Sequence, residues 1–213
     1  VVNSILRYLF FLCIVRPVVL IVLGLNVRRQ EQLPTTGPAI VVANHNSHLD
    51  ALTLMTLFGM RRLPLVRPVA AVDYFLTNQW RAWFSTQIIG IIPLKRNVSG
   101  ERSDPLAAIS DALNAGKILI LFPEGSRGRP EQLETFRTGI AHIAKRHPEI
   151  PIIPVFLHGL GKSLPRGEGI LVPFFCDVFV GEAVTWNGSR DGFMALLQEQ
   201  MATLAREGRF PAW

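Results

Sequence analysis

The chain has 213 residues, 49% of them apolar and 18% charged, enough for one sizeable core and too hydrophobic for a disordered chain. Its two cysteines, Cys13 and Cys176, each lie inside an apolar stretch, which excludes a disulfide scaffold and agrees with a reducing compartment. With 22 Lys+Arg against 16 Asp+Glu the formal net charge is +6, which suits an anionic partner: nucleic acid, a phosphorylated substrate or an anionic bilayer.

Residues 8–15 form an uninterrupted apolar run, Arg16-Pro17 interrupts it, and residues 18–25 resume it. A secretory signal would carry one shorter apolar core and a small-residue cleavage site, and neither is present. A straight transmembrane span would hold Arg16 near the bilayer centre at a cost of at least ~3 kcal/mol. The preferred expectation is a bent helix or helical hairpin dipping into one leaflet, with Arg7, Arg16, Arg28 and Arg29 reaching outward to lipid phosphates. A core helix of a soluble protein and a tilted full span are the competing readings. Residues 1–29 are thus taken as a membrane-associated segment and 30–213 as one domain, joined by the polar, proline-containing stretch 30–37.

Beyond that stretch, strand and helix patterns alternate. Residues 39–43 read as a strand and 49–58 as a buried helix. Strands are expected at 66–72 and 90–94, with an aromatic-rich helix over 74–84 between them. Asp104 as N-cap and Pro105 at the first position open a helix with Leu106, Ile109 and Leu113 on one face, stopped by Gly116. A fully apolar strand follows at 118–122, a helix at 138–146 and a strand at 152–157. Residues 170–180 read as one or two strands. The last helix, about 191–206, carries Phe193, Leu196, Leu197 and Leu204 on one face. The pattern predicts an α/β domain with a mixed, mostly parallel central sheet flanked by helices.

Two blocks sit at strand ends, where α/β folds place ligands. Asn44-His45-Asn46-Ser47-His48-Leu49-Asp50 offers an imidazole able to take a proton from an alcohol, with a carboxylate close enough to orient it. A capped helix start with a surface histidine explains the same string. Phe122-Pro123-Glu124-Gly125-Ser126-Arg127-Gly128 is a tight loop whose Arg127 fork suits a phosphate, although an ordinary turn with a solvated arginine would read alike. Between them, Gly90-Ile91-Ile92-Pro93-Leu94-Lys95-Arg96 is an apolar strand ending in two cations.

In this order, these three blocks and Ile152-Ile153-Pro154-Val155 resemble the four motifs of the glycerolipid acyltransferases, the lysophosphatidic acid acyltransferase type, over roughly residues 32–185. The resemblance implies transfer of a fatty acyl group from acyl-CoA or acyl-carrier protein to the free hydroxyl of a lysophospholipid, with 1-acylglycerol-3-phosphate giving phosphatidic acid. It implies His45 as general base, Asp50 as its orienting partner, and Lys95, Arg96, Glu124, Gly125, Ser126 and Arg127 as the acceptor-binding set. It also implies work at a membrane surface, on the cytoplasmic face of the inner (plasma) membrane, with the thioester as co-substrate and no further cofactor. One departure stands out: many relatives carry a lysine in the segment that here reads Ala70-Ala71-Val72-Asp73-Tyr74, which leaves phosphate recognition to Lys95, Arg96 and Arg127.

Direct attack of an alcohol on a thioester needs no covalent intermediate, and neither cysteine is placed as a nucleophile. The backbone N–H groups after His45 are candidates to stabilise the tetrahedral oxyanion. No metal-ligand pattern accompanies His45, His48 and Asp50. Basic residues scattered among apolar segments argue against nucleic acid as the partner. The alternatives are an acyltransferase for another lysolipid, a thioester or lipid hydrolase using the same His–Asp pair, and a non-catalytic membrane binder.

Overall fold

The computed structural model describes residues 2–72, 78–94, 104–126, 128, 133–163 and 175–208. The expectations at 73–77, at Lys95, Arg96 and Arg127, and over 170–174 fall outside the described residues. Among the described residues seven strands build one sheet: β1 (Leu25–Arg28), β2 (Ala39–Ala43), β3 (Val66–Ala71), β4 (Ile92–Leu94), β5 (Ile118–Leu121), β6 (Ile152–His158) and β7 (Cys176–Val180). Their order is β1-β7-β6-β2-β5-β3-β4. Every neighbouring pair is parallel except β6 with β7, so the sheet is mixed and mostly parallel as the alternation predicts.

The central strands β2, β5 and β6 are buried along their whole length, which is why they read as unbroken Val/Ile/Leu runs. Their alternate residues feed two cores. Ala39, Val41 and Ala43 face the helix α1 (Val2–Val22) and α2 (Asp50–Leu57). Ile40 and Val42 face α5 (Ala107–Asn114), α6 (Gly139–Arg146) and α8 (Arg190–Glu207). Further short helical segments are α3 (Gly59–Arg62), α4 (Gln79–Trp83), which continues in π-helical turns over Phe84–Ile89, α7 (Leu160–Ser163), and a 3-10 turn at Gln30–Gln32.

Several elements differ in detail from the sequence pattern. The Asp104 carboxylate accepts from Leu106 N at 3.0 Å as predicted for a cap, but the bond closes a turn and α5 itself begins at Ala107. In α8 the buried face is Phe193, Met194, Leu197, Met201 and Leu204, while Leu196 points to solvent. Strand β1 was not legible at all, because Leu25–Arg28 merges into the preceding apolar run; it pairs with β7, so the sheet begins before residue 30.

The first segment is one continuous helix, not a hairpin. π-helical turns over Phe11–Val15 and Val18–Val22 flank Arg16-Pro17, loosening the turn in which an α-helical carbonyl would meet the proline ring. They also straighten its seam. Arg7, Phe11, Val15, Val19 and Leu23 are all buried at intervals of four. At 3.6 residues per turn such a stripe would wander about 160° around the helix, and the wider turns bring it back. The opposite face leaves Ile5, Leu9, Leu12, Ile14 and Ile21 exposed, and Trp80 and Phe175 are exposed as well.

The arginines do not all reach outward. Arg7 is buried and donates through Nη2 to Leu63 O and Val66 O, both at 3.0 Å. Arg29, in the left-handed region at φ 57°, forks onto Glu207 at 2.8 and 2.6 Å and donates to Val180 O at 2.7 Å, tying β1 to the end of α8. Arg28 lies over the Phe179 ring at 5.0 Å.

Phe11→Ala should cost about 3–5 kcal/mol by opening a cavity between α1 and the sheet, measured by chemical denaturation in detergent. Ile14→Ala, on the exposed face, should change stability by less than ~0.5 kcal/mol.

Candidate active site

The register of β2 against β5 pairs Val42 with Leu121. Because the strands are parallel, residues 45 and 124 lie the same three steps beyond that pair. The loops that follow the two strands therefore emerge side by side at the carboxyl end of the sheet.

In the first loop the His45 ring stacks on Phe122, with centroids 4.2 Å apart and planes at 21°. Its Nδ1 is 2.8 Å from Asp50 Oδ2. That contact assigns the proton to Nδ1 and leaves Nε2 as the basic nitrogen. Asp50 opens α2 and is wholly buried. Its Oδ2 also accepts from Asn46 N at 2.7 Å and Ser47 N at 2.8 Å, so the loop wraps around the carboxylate. Burial pushes the Asp50 carboxyl up, and the bonds to His45, Ser47 and Asn46 oppose that shift. Oδ1 has no hydrogen-bond partner among the described residues.

This geometry corrects one expectation. Asn46 N and Ser47 N are turned inward to Asp50, so they are not the donors for an oxyanion. His48 is exposed and the pairing of His45 is with Asp50, so the string is more than a capped helix start.

Glu124 is buried beneath the same loop. Its Oε2 accepts from His45 N at 3.2 Å and its Oε1 from Glu134 N at 3.4 Å. Burial, with the nearby carboxylates of Glu134 and Asp50, pushes its carboxyl up from 4.5 to about 7, against the two backbone bonds. Gly128 N donates to His45 O at 2.9 Å, a second stitch between the loops. Gly125 sits at φ +74°, and a Cβ there would run into the Arg137 side chain, whose Nε donates to Glu124 O at 3.1 Å. Ser126 is exposed at the loop tip. Thus His45, Asp50, Glu124 and Gly125 are brought together with Ser126 at the rim, while Lys95, Arg96 and Arg127 lie outside the described residues.

Two contributors escaped the sequence reading. Asn44 acts as an extra rung of the sheet, its Nδ2 donating to Leu157 O at 2.9 Å and its Oδ1 accepting from Leu157 N at 2.7 Å. Arg137 is the other, thirteen positions beyond the carbonyl it holds; its side chain braces the glutamate loop. Asparagine at a strand end was a readable signal, whereas nothing local marked Arg137. Among the described residues no cluster of His, Cys, Asp or Glu could hold a metal ion.

The family model described as Acyltransferase matches residues 24–158, which include both loops. The chain belongs to the acyltransferase family. This acyltransferase is 30% identical over 149 residues to "1-acyl-sn-glycerol-3-phosphate acyltransferase LPAT1, chloroplastic" of Arabidopsis thaliana, covering 69% of this chain and 40% of that protein. It is 27% identical over 188 residues to 1-acyl-sn-glycerol-3-phosphate acyltransferase alpha of Mus musculus, covering 85% of this chain and 64% of that one. The acyltransferase chain thus spans less than two thirds of either relative's length. Its fold is that of the 1-acyl-sn-glycerophosphate (LPA) acyltransferase PlsC from Thermotoga maritima, with a TM-score of 0.69 at 20% identity, covering 89% of this chain and 74% of that one.

The raised carboxyl of Glu124 makes a signed prediction. Between its ordinary value and about 7 the folded chain holds a proton that the unfolded chain has lost. Stability should therefore fall as pH rises through that window and level off above it. Relative to the parent, Glu124→Gln should remove up to roughly 3 kcal/mol of that pH dependence, read from denaturation curves at pH 5 and pH 8.

Proposed function

We propose that this acyltransferase moves a fatty acyl group from acyl-CoA or acyl-carrier protein to the free hydroxyl of a lysophospholipid, 1-acylglycerol-3-phosphate giving phosphatidic acid. The observation that carries the reading is the 2.8 Å contact of His45 Nδ1 with a buried, loop-wrapped Asp50. It fixes the imidazole so that Nε2 can remove the proton from the acceptor hydroxyl as oxygen attacks the thioester carbonyl. As the imidazolium forms, the carboxylate beside it stabilises the new charge. The thiolate then leaves as the tetrahedral oxyanion collapses, and the imidazolium returns the proton to the departing sulfur. The names of the relatives support the choice of acceptor.

In this reading the thioester is a co-substrate and no other cofactor is needed. Lys95, Arg96 and Arg127 grip the acceptor phosphate, Ser126 lies beside it at the loop tip, and Glu124 and Gly125 hold the shape of that loop. The enzyme works on a membrane surface, the cytoplasmic face of the inner membrane. The exposed apolar face of α1, supplemented by Trp80 and Phe175, supports docking in one leaflet. A crossing of the bilayer fits less well, because the buried stripe of α1 is packed on the sheet.

His45→Ala should lower transfer by about 10²- to 10⁴-fold, and Asp50→Asn should lower turnover heavily while lysolipid binding persists. Mass spectrometry of the products decides the class: esterified lipid is the expected outcome, and free fatty acid without it would make the protein a hydrolase. Trp80→Ala should weaken binding to anionic vesicles by roughly tenfold in a sedimentation assay, with the activity in detergent retained.

A further inference from the structure

Among the described residues, two partly or wholly buried arginines at the other end of the sheet, Arg7 and Arg67, have no ion-pair partner. Arg7 is 6% exposed. Its Nη2 is used by the carbonyls of Leu63 and Val66, but its Nε is buried with no acceptor among the described residues. Arg67, on β3, is half-buried and makes no hydrogen bond or ion pair among the described residues. Both guanidiniums converge on one point. The register that pairs Val69 with Ile92 sets Gly90 beside Arg67, and a Cβ on Gly90 would collide with Nη1 of both arginines. Gly90 is at φ +82° and carries none, so both Nη1 atoms pack against its backbone and are held close to each other. Burial and the charge of Arg67 push the Arg7 guanidinium down to about 10, and burial lowers that of Arg67; no carboxylate among the described residues offsets either shift.

Two buried like charges without a counterion are costly, and arginine forks are the side chains that bind phosphate through paired hydrogen bonds. We propose that Arg7 and Arg67, straddling Gly90, form a binding site for a phosphate group, distinct from the catalytic end of the sheet. Arg67 is in register with Leu119, five residues before Glu124, so the two sites are about 15 Å apart along the strands. Asn3 bonds Gln87 at 3.0 Å, so the start of α1 is joined to the segment leading to Gly90. An occupying phosphate would neutralise the pair and lock the start of α1 to the sheet edge. A lipid headgroup and a soluble phosphate share this chemistry.

The test uses the full chain in uncharged detergent, carrying Arg127→Ala to remove the loop arginine at the catalytic end. Inorganic phosphate and dihexanoyl phosphatidic acid are titrated while the melting temperature is followed, with chloride at matched ionic strength as control. Phosphate should raise the melting temperature, and Arg67→Gln should weaken its apparent affinity at least about tenfold. Gly90→Ala, whose Cβ would push both Nη1 atoms out of place, should act likewise. Tighter binding of the short-chain lipid assigns the site to a headgroup, and equal binding assigns it to soluble phosphate. Unchanged affinity in both Arg67→Gln and Gly90→Ala, or an equal effect of chloride, would overturn the proposal whatever the outcome at His45.

Discussion

The candidate site is organised around one buried oxygen. Asp50 Oδ2 collects the imidazole N–H of His45 and the backbone N–H groups of Asn46 and Ser47. A carboxylate removed from water demands such compensation, and the position of Asp50 at the start of α2 adds a favourable dipole. Burial still outweighs these bonds in setting the direction of its shift. The charge on Asp50 is therefore held partly by the imidazole it orients, and the two groups act as a unit. The same demand shapes the loop: residues 46 and 47 curl inward because the oxygen must be satisfied, and that curl aims the histidine ring.

Around this centre the neighbouring loop is fastened at several points. Glu124 receives the His45 amide, Gly128 N reaches the His45 carbonyl, and Phe122 supplies the surface on which the imidazole lies. The loop after β5 thus restrains His45 through both its backbone and its ring. Arg137 holds the loop from its outer side. The motif spacing of 79 positions between His45 and Glu124 is bridged by a single parallel strand pair, which explains how two short blocks so far apart in sequence act as one site.

The two faces of the sheet carry different tasks. One is covered by α5, α6 and α8, whose outer surfaces are polar. The other is covered by α2 and by α1, whose own outer face is apolar. The helix thus serves as part of the core through its four-residue stripe and as an exposed apolar surface through its opposite side. The buried arginine at the head of that stripe is the one polar interruption, and its carbonyl partners on the approach to β3 hold the helix in place.

The sequence by itself determined the alternating α/β pattern, the buried central strands, the stop of α5 at Gly116, and the two loops that bear the site. Each of these is a local matter: burial on both faces leaves an apolar run, a helix stop favours a left-handed glycine, a tight loop needs glycine and proline. What only the tertiary structure decided was everything that depends on partners distant in the chain. Strand β1 exists because β7 offers it an edge, and within Leu25–Arg28 nothing local separates it from the helix before it. Leu196 faces solvent because the helix packs on a particular register, and Arg7 turns inward because carbonyls near β3 await it. Asn46 and Ser47 lose their amides to Asp50, and Arg137 joins the loop of Glu124, because satisfying buried polar groups is a three-dimensional accounting that spacing along the chain does not encode.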